Sequence, residues 1–293
     1  MMVVAKILIK NINRLNDVYF KFLLGTENRK SLTLSFINSI LNRVDDNRFV
    51  NIEFVNTNLT AELEDEKIPI VDILAKTGTG EFINIEVQVA KQTFFRKRSL
   101  YYWSRLYGRQ LNVGKHYRKL KQTIMINLLS FDCLPYDVCH NCYHVRNDSN
   151  NDLLLDDLEI HFIELQKFKF SDVRKLRDSE NWIAYFSPNC SNEEREAIAM
   201  GNPAIKEALN AERVFSQDEL QFARYEHAEK VLRDYNAAIE DNRQEARQEG
   251  ILEGQQLEKF INARNLLRLG IAPDIVAQGV GLAIEDVLNL KSK

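Results

Sequence analysis

The chain has 293 residues, 45% hydrophobic and 28% charged, with 39 basic and 42 acidic side chains and a net charge of −3. That balance suits a globular protein of one large or two modest domains with room for a buried core. It excludes nucleic-acid binding by overall charge, so any such contact needs a local patch, and no run is long and apolar enough to cross a bilayer.

The opening MMVVAKILIKNINRLN breaks its apolar run with Lys6 and Lys10 and has no small-residue cleavage site, so a cytoplasmic protein is expected. Residues 14–24 carry apolar side chains at helical spacing, with Asn13 or Asn16 as cap, and Ser31 to Asn42 repeats the pattern. A strand-like run, Phe49 to Leu59, and an acidic loop, Glu62 to Glu66, lead into the segment Ile68 to Lys91.

That segment, IPIVDILAKTGTGEFINIEVQVAK, alternates on both sides of Gly78-Thr79-Gly80. Side chains on a strand alternate with period two, so the two apolar sets must share one side of the hairpin. A three-residue loop meets that demand and pairs Val71 with Val87, Ile73 with Ile85 and Ala75 with Ile83. Asp72 then faces Glu86, with Gln88 one same-face step further. Facing like charges are destabilising, and a divalent cation held by hard oxygen ligands relieves them. Two acids on the solvated face of a hairpin are also common without any ion.

From Lys91 to Lys121 there is no Asp or Glu, but there are ten Lys and Arg residues interleaved with seven aromatics. Residues 94–112 read as an amphipathic helix, with Arg98, Arg105 and Arg109 at helical spacing, as are Tyr102 and Leu106, so that one face can be basic while another packs. Aromatics in such a helix are expected in the core; the cations form a surface suited to phosphate. Strands are expected at Thr123 to Phe131, Tyr143 to Arg146 and Leu158 to Leu165, completing an α/β domain over residues 1–170. Cys139-x-x-Cys142 with His144 nearby offers too few ligands at standard spacing for a zinc site, so the four cysteines are expected to be reduced thiols.

Beyond Ser171 the pattern is helical throughout 171–293: Asp172 to Phe186, Glu193 to Met200, Gln217 to about Phe260, and a tail whose Ala277, Gly281 and Leu282 suit a helix-turn-helix. Glu285 and Asp286 on its second helix oppose phosphate, so packing or self-association through this region, as a homodimer, is expected in place of DNA reading.

The segments NDVYFKFLLG, VDILAKTGTGEFINIEVQ, KRSLYYWSRLYGRQLNVGKHYRKLKQTIMINLLSF and DDLEIHFIEL, in this order over about residues 10–170, resemble the recombination-promoting nuclease and transposase family, a branch of the PD-(D/E)XK nucleases. The resemblance implies a restriction-endonuclease-like core, a central mixed sheet flanked by helices, and magnesium-dependent hydrolysis of DNA phosphodiesters, with manganese as a substitute. It implies that Asp72 and Glu86 are the catalytic acids, with Asp17 as an additional acid. Gln88 stands where the superfamily's name has lysine, which leaves the general base open. The resulting expectation is an endonuclease whose Asp72, Glu86 and Val87 carbonyl hold the ion, while Arg98, Tyr102 and Arg105 hold the DNA backbone. The alternatives are a non-catalytic nucleic-acid-binding or assembly protein on the same fold, and a nuclease acting on RNA. Recombination or transposition as the setting follows from the family's name alone.

Overall fold

The computed structural model describes residues 12–55, 71–111 and 116–291. The acidic loop at 62–66 and the last four residues of the strand run expected before it, 56–59, lie outside these residues. Two compact units emerge, residues 1–229 and 230–293.

The first unit is built on a six-stranded mixed sheet in the order β1-β2-β3-β4-β6-β5. Its strands are β1 (Ile52–Phe54), β2 (Ile73–Thr77), β3 (Phe82–Gln88), β4 (Thr123–Leu129), β5 (His140–Tyr143) and β6 (Leu158–Glu164). β1, β2 and β3 are antiparallel neighbours, while β3, β4 and β6 run parallel. A parallel pair needs a crossover, and α3 (Phe95–Gly108) lies in the one between β3 and β4.

Period-two alternation divides the apolar residues between two cores. On one face, Ile73, Ala75, Ile83, Ile85, Ile124, Ile126 and Ile163 join the main core with α1 (Asp17–Leu24) and α2 (Lys30–Ile40). On the other face, Leu74, Met125, Leu129, Ile160 and Phe162 pack with Phe95 and Leu106 of α3. Asn16 starts α1 by accepting the backbone N–H groups of Val18 at 3.0 Å and Tyr19 at 3.4 Å.

The break expected after residue 170 falls inside this unit. α4 (Asp178–Phe186), α5 (Asn192–Gly201) and α6 (Pro203–Gln217) contribute Trp182, Tyr185, Ile198, Ile205 and Phe215 to the main core. A mixed sheet of this kind needs cover on both faces, and these helices belong to that cover. A buried bidentate pair joins the segment before α1 to α6, with Arg14 Nε and Nη2 each donating to Glu212 at 2.8 Å. The Tyr185 hydroxyl adds a hydrogen bond to the same carboxylate at 3.2 Å. Removing one partner of a buried pair costs about 3–5 kcal/mol, so this contact binds the late helices to the start of the fold.

Two other expectations shift. The strand placed at Tyr143 to Arg146 is found at His140–Tyr143, because β6 supplies a pairing ladder that overrides the low strand preference of His, Asn and Cys. α6 falls in the region expected to be helical but not delimited there as a separate helix; Asn202 caps it and Pro203 opens it.

The long helix α7 (Glu219–Arg268) begins in the first unit, where Phe222 and Tyr225 join the main core. In the second unit its residues around 233–258 are solvated. Ala263 there forms a small core with Val276, Ala277 and Val287 of α8 (Pro273–Val280) and α9 (Ile284–Lys291). Gly281 ends α8 at φ 65°, and Leu282 N–H donates back to the Ala277 carbonyl at 3.1 Å, the tight turn expected there.

A chain ended at residue 170 exposes the isoleucines of the main core and is expected to be insoluble or unfolded by circular dichroism and gel filtration. Recovery of a folded, monodisperse 1–170 fragment would contradict the role given to α4–α6.

Candidate active site

The hairpin register is the one the alternation requires: Ile73 pairs with Ile85 and Ala75 with Ile83. Gly80 N–H closes the three-residue loop on the Thr77 carbonyl at 3.0 Å. Continued one residue past β2, the register brings Asp72 opposite Glu86. Val87 N–H donates to Asp72 Oδ2 at 2.8 Å, and Asp72 N–H donates to Glu86 Oε1 at 3.3 Å. Glu86, only 3% exposed, lies on the α3 side of the sheet, whereas Asp72 sits just past the end of β2, where Val71 joins the α3-side core and the Asp72 carboxylate reaches Lys21 of α1.

Among the described residues neither acid has a close, dedicated cation. Lys21 Nζ is 3.5 Å from Asp72 but closer to Asp17, at 2.7 Å, its partner one turn back on α1. Arg98 Nη2 stands 4.0 Å from Glu86. Burial therefore dominates: it pushes the Asp72 carboxyl up to about 6 against the hydrogen bond from Val87. Burial, reinforced by the charge of Asp72, pushes Glu86 up to about 8.

Asn84, fully buried on the same face two residues before Glu86, donates to Glu86 Oε1 at 3.1 Å, and its own Oδ1 has no hydrogen-bond partner. Two under-compensated carboxylates offer oxygen donors of the kind a hard divalent cation takes, and Asn84 holds one of them in place.

Gln88 ends β3 on the face of Glu86, half-buried. Asp17 is the exposed first residue of α1. Arg98 lies over the rings of Phe95 at 5.1 Å and Tyr102 at 5.3 Å. Arg105, two turns further along α3, and Tyr102 are half-buried. Phe95 and Leu106 are core, as expected of this helix, whereas Phe94, Tyr101 and Tyr117 are exposed beside Arg96, Lys97, Arg118 and Lys119. Asp72 opens on a cleft of about 300 Å³ lined also by Lys21, Gly25, Phe54, Val55 and Leu74. A larger cleft, about 540 Å³ and lined by Arg14, Val89, Ser130 and Arg195 among others, has no carboxylate in its lining and offers no comparable donor set.

Two residues of the site escaped sequence reasoning. Lys21 is signalled only by its position four residues after Asp17, and Asn84 only by its position two residues before Glu86.

A strand pair presenting buried acids on a mixed sheet with flanking helices is the architecture of a PD-(D/E)XK nuclease. The family model for the PD-(D/E)XK nuclease family transposase matches residues 14–242, and the chain belongs to that family. No curated protein and no solved structure matches it.

Protonated acids in the folded state make stability pH-dependent. Glu86 keeps a proton in the folded, metal-free chain that the unfolded chain has lost, so its contribution falls as pH rises from the ordinary carboxylate range to about 8. The melting temperature in chelator is therefore expected to drop between pH 6 and pH 8. Glu86→Gln should flatten that drop. Because ligands bind metal deprotonated, added magnesium should raise the melting temperature more at the upper end of this range. A wild-type slope unchanged by Glu86→Gln would show that the acid is not held protonated.

Proposed function

We propose that the chain is a metal-dependent DNA endonuclease that hydrolyses phosphodiester bonds at Asp72 and Glu86. The observation that carries this reading is the pair itself, a buried and a half-buried carboxylate side by side, joined by a backbone hydrogen bond and, among the described residues, sharing with Asp17 the only cation within 3.5 Å. Asp72, Glu86 and the Val87 carbonyl would hold magnesium, with manganese as a substitute. When bound, such an ion supplies Lewis acidity toward the phosphate and the attacking water.

The chain's own side chains do the remaining work. Gln88 donates a hydrogen bond that positions water or the scissile phosphate. Lys21 brings to Asp72 a cation that position 88 lacks, and Asp17 holds Lys21 in place. Arg98 and Arg105 neutralise backbone phosphates, and Tyr102 supports Arg98 through its ring. The exposed cations and aromatics of the same stretch extend that surface to neighbouring nucleotides.

Double-strand cleavage favours a dimer, and the solvated α7 segment, with Ile239, Leu252 and Leu257 exposed, is the proposed self-association element. Among the described residues no helix is long and apolar enough to cross a membrane, which is consistent with the proposed work on DNA in the cytoplasm.

Asp72→Ala is expected to abolish magnesium-dependent nicking of plasmid DNA while leaving circular dichroism and gel-shift binding unchanged. Lys21→Ala should lower the cleavage rate about tenfold or more, as loss of an electrostatic donor at a reacting centre does. Wild-type protein that binds DNA but never cleaves it, with either metal, favours the non-catalytic reading. Cleavage confined to RNA would move the substrate class and keep the site.

A further inference from the structure

β5 and β6 form the outer edge of the sheet, and their register pairs Cys142 directly with His161. Alternation adds the next same-face neighbours, His140 and His144 on one side and Glu159 on the other. One donor atom from each of Cys142, Glu159 and His161 lies within 4.8 Å of the others.

We propose that this edge cluster is a zinc site held by three protein ligands, Cys142, His161 and Glu159, with the fourth position left to solvent; His144 touches Cys142 but is not among the converging ligand atoms. Zinc–sulfur and zinc–nitrogen bonds of about 2.3 and 2.0 Å at a tetrahedral ion put those ligand atoms about 3.5 Å apart. Cys142 Sγ lies 3.6 Å from His161 Nε2. His161 Nε2 is 2.8 Å from Glu159 Oε1, a hydrogen-bonded contact that opens to about 3.2 Å when both atoms turn to one ion.

The supporting shell is also in place. His161 Nδ1 lies 2.8 Å from His140 Nε2, so its other ring nitrogen can be left free to ligate. Glu159 Oε2 accepts from Gln122 Nε2 at 2.8 Å, which fixes the carboxylate and leaves Oε1 for the metal. Thiolate and imidazole select a borderline-soft ion, whereas the Asp72–Glu86 donors are all oxygen, so the two sites separate by chemistry as well as by place. The ion would tie a four-residue edge strand to the sheet. Cys139 takes no part: it packs against the main core beyond the end of β5, next to Glu164.

The test uses the untagged full-length chain, loaded with zinc or with cobalt(II) and passed through gel filtration. About one zinc per chain is expected to be retained. The cobalt form should show a thiolate-to-metal charge-transfer band in the near ultraviolet and the strong visible absorption of a tetrahedral site. Cys142→Ser should lose the band and the zinc, and Cys139→Ser should keep both. His140→Ala should weaken zinc about 10–100-fold, as loss of a supporting partner does. Asp72→Asn should leave zinc binding intact whether or not the nuclease reading holds. Failure of the wild-type chain to retain zinc, a cobalt spectrum without the thiolate band, or an unchanged spectrum in Cys142→Ser overturns the proposal. The wild-type spectrum decides even if a variant fails to fold.

Discussion

The register of the β2–β3 hairpin is the constraint from which both core and site follow. Gly80 sits at φ 103°, a backbone conformation that disfavours side chains, and lets a three-residue loop close between Thr77 and Glu81. That loop length sends Ile73, Ala75, Ile83 and Ile85 to the main core together. The same register puts Glu86 on the opposite face and brings Asp72, one residue past β2, alongside it, where Asp72 N–H donates to Glu86 Oε1. A slip of one residue would separate the acids and would also turn one strand's isoleucines away from the main core, toward the face covered by α3. The cost of facing two carboxylates is thus bound to the gain of burying the sheet, and helix α3 raises that cost by taking Glu86 out of water.

How much of this was legible in the sequence follows from how local each signal is. The hairpin is local: period-two alternation and a Gly-Thr-Gly turn within one short segment determine the pairing. The cap of α1 and the Gly281 turn are local for the same reason. The helices past residue 170 are also visible as helices, but their membership in the first core is not. Their apolar stripes fit any partner, and only the uncovered face of the sheet decides which one they meet.

The edge cluster shows a second kind of failure. Cys139-x-x-Cys142 invites attention because loops and knuckles use that spacing for metals. On a strand, same-face residues are two apart, so Glu159-x-His161 is the pair that can converge with Cys142 across the ladder. Neither that pair nor Cys142 is conspicuous alone. They become one group only when the β5–β6 register aligns Cys142 with His161.

Charge balance connects Gln88 to the rest of the site. A lysine at that position would lie on the face of Glu86 and would favour the ionised form of the acids. Glutamine brings no charge, so the acids rely on Lys21, shared with Asp17, and on Arg98 at the limit of ion-pair distance. Neither suffices, because burial still drives both carboxyls upward. A divalent ion entering such a site must displace protons, and once there it meets less competing positive charge than it would beside a lysine. On the proposed function, glutamine at position 88 would leave the stabilisation of the ionised acids to the ion that Asp72 and Glu86 are proposed to hold.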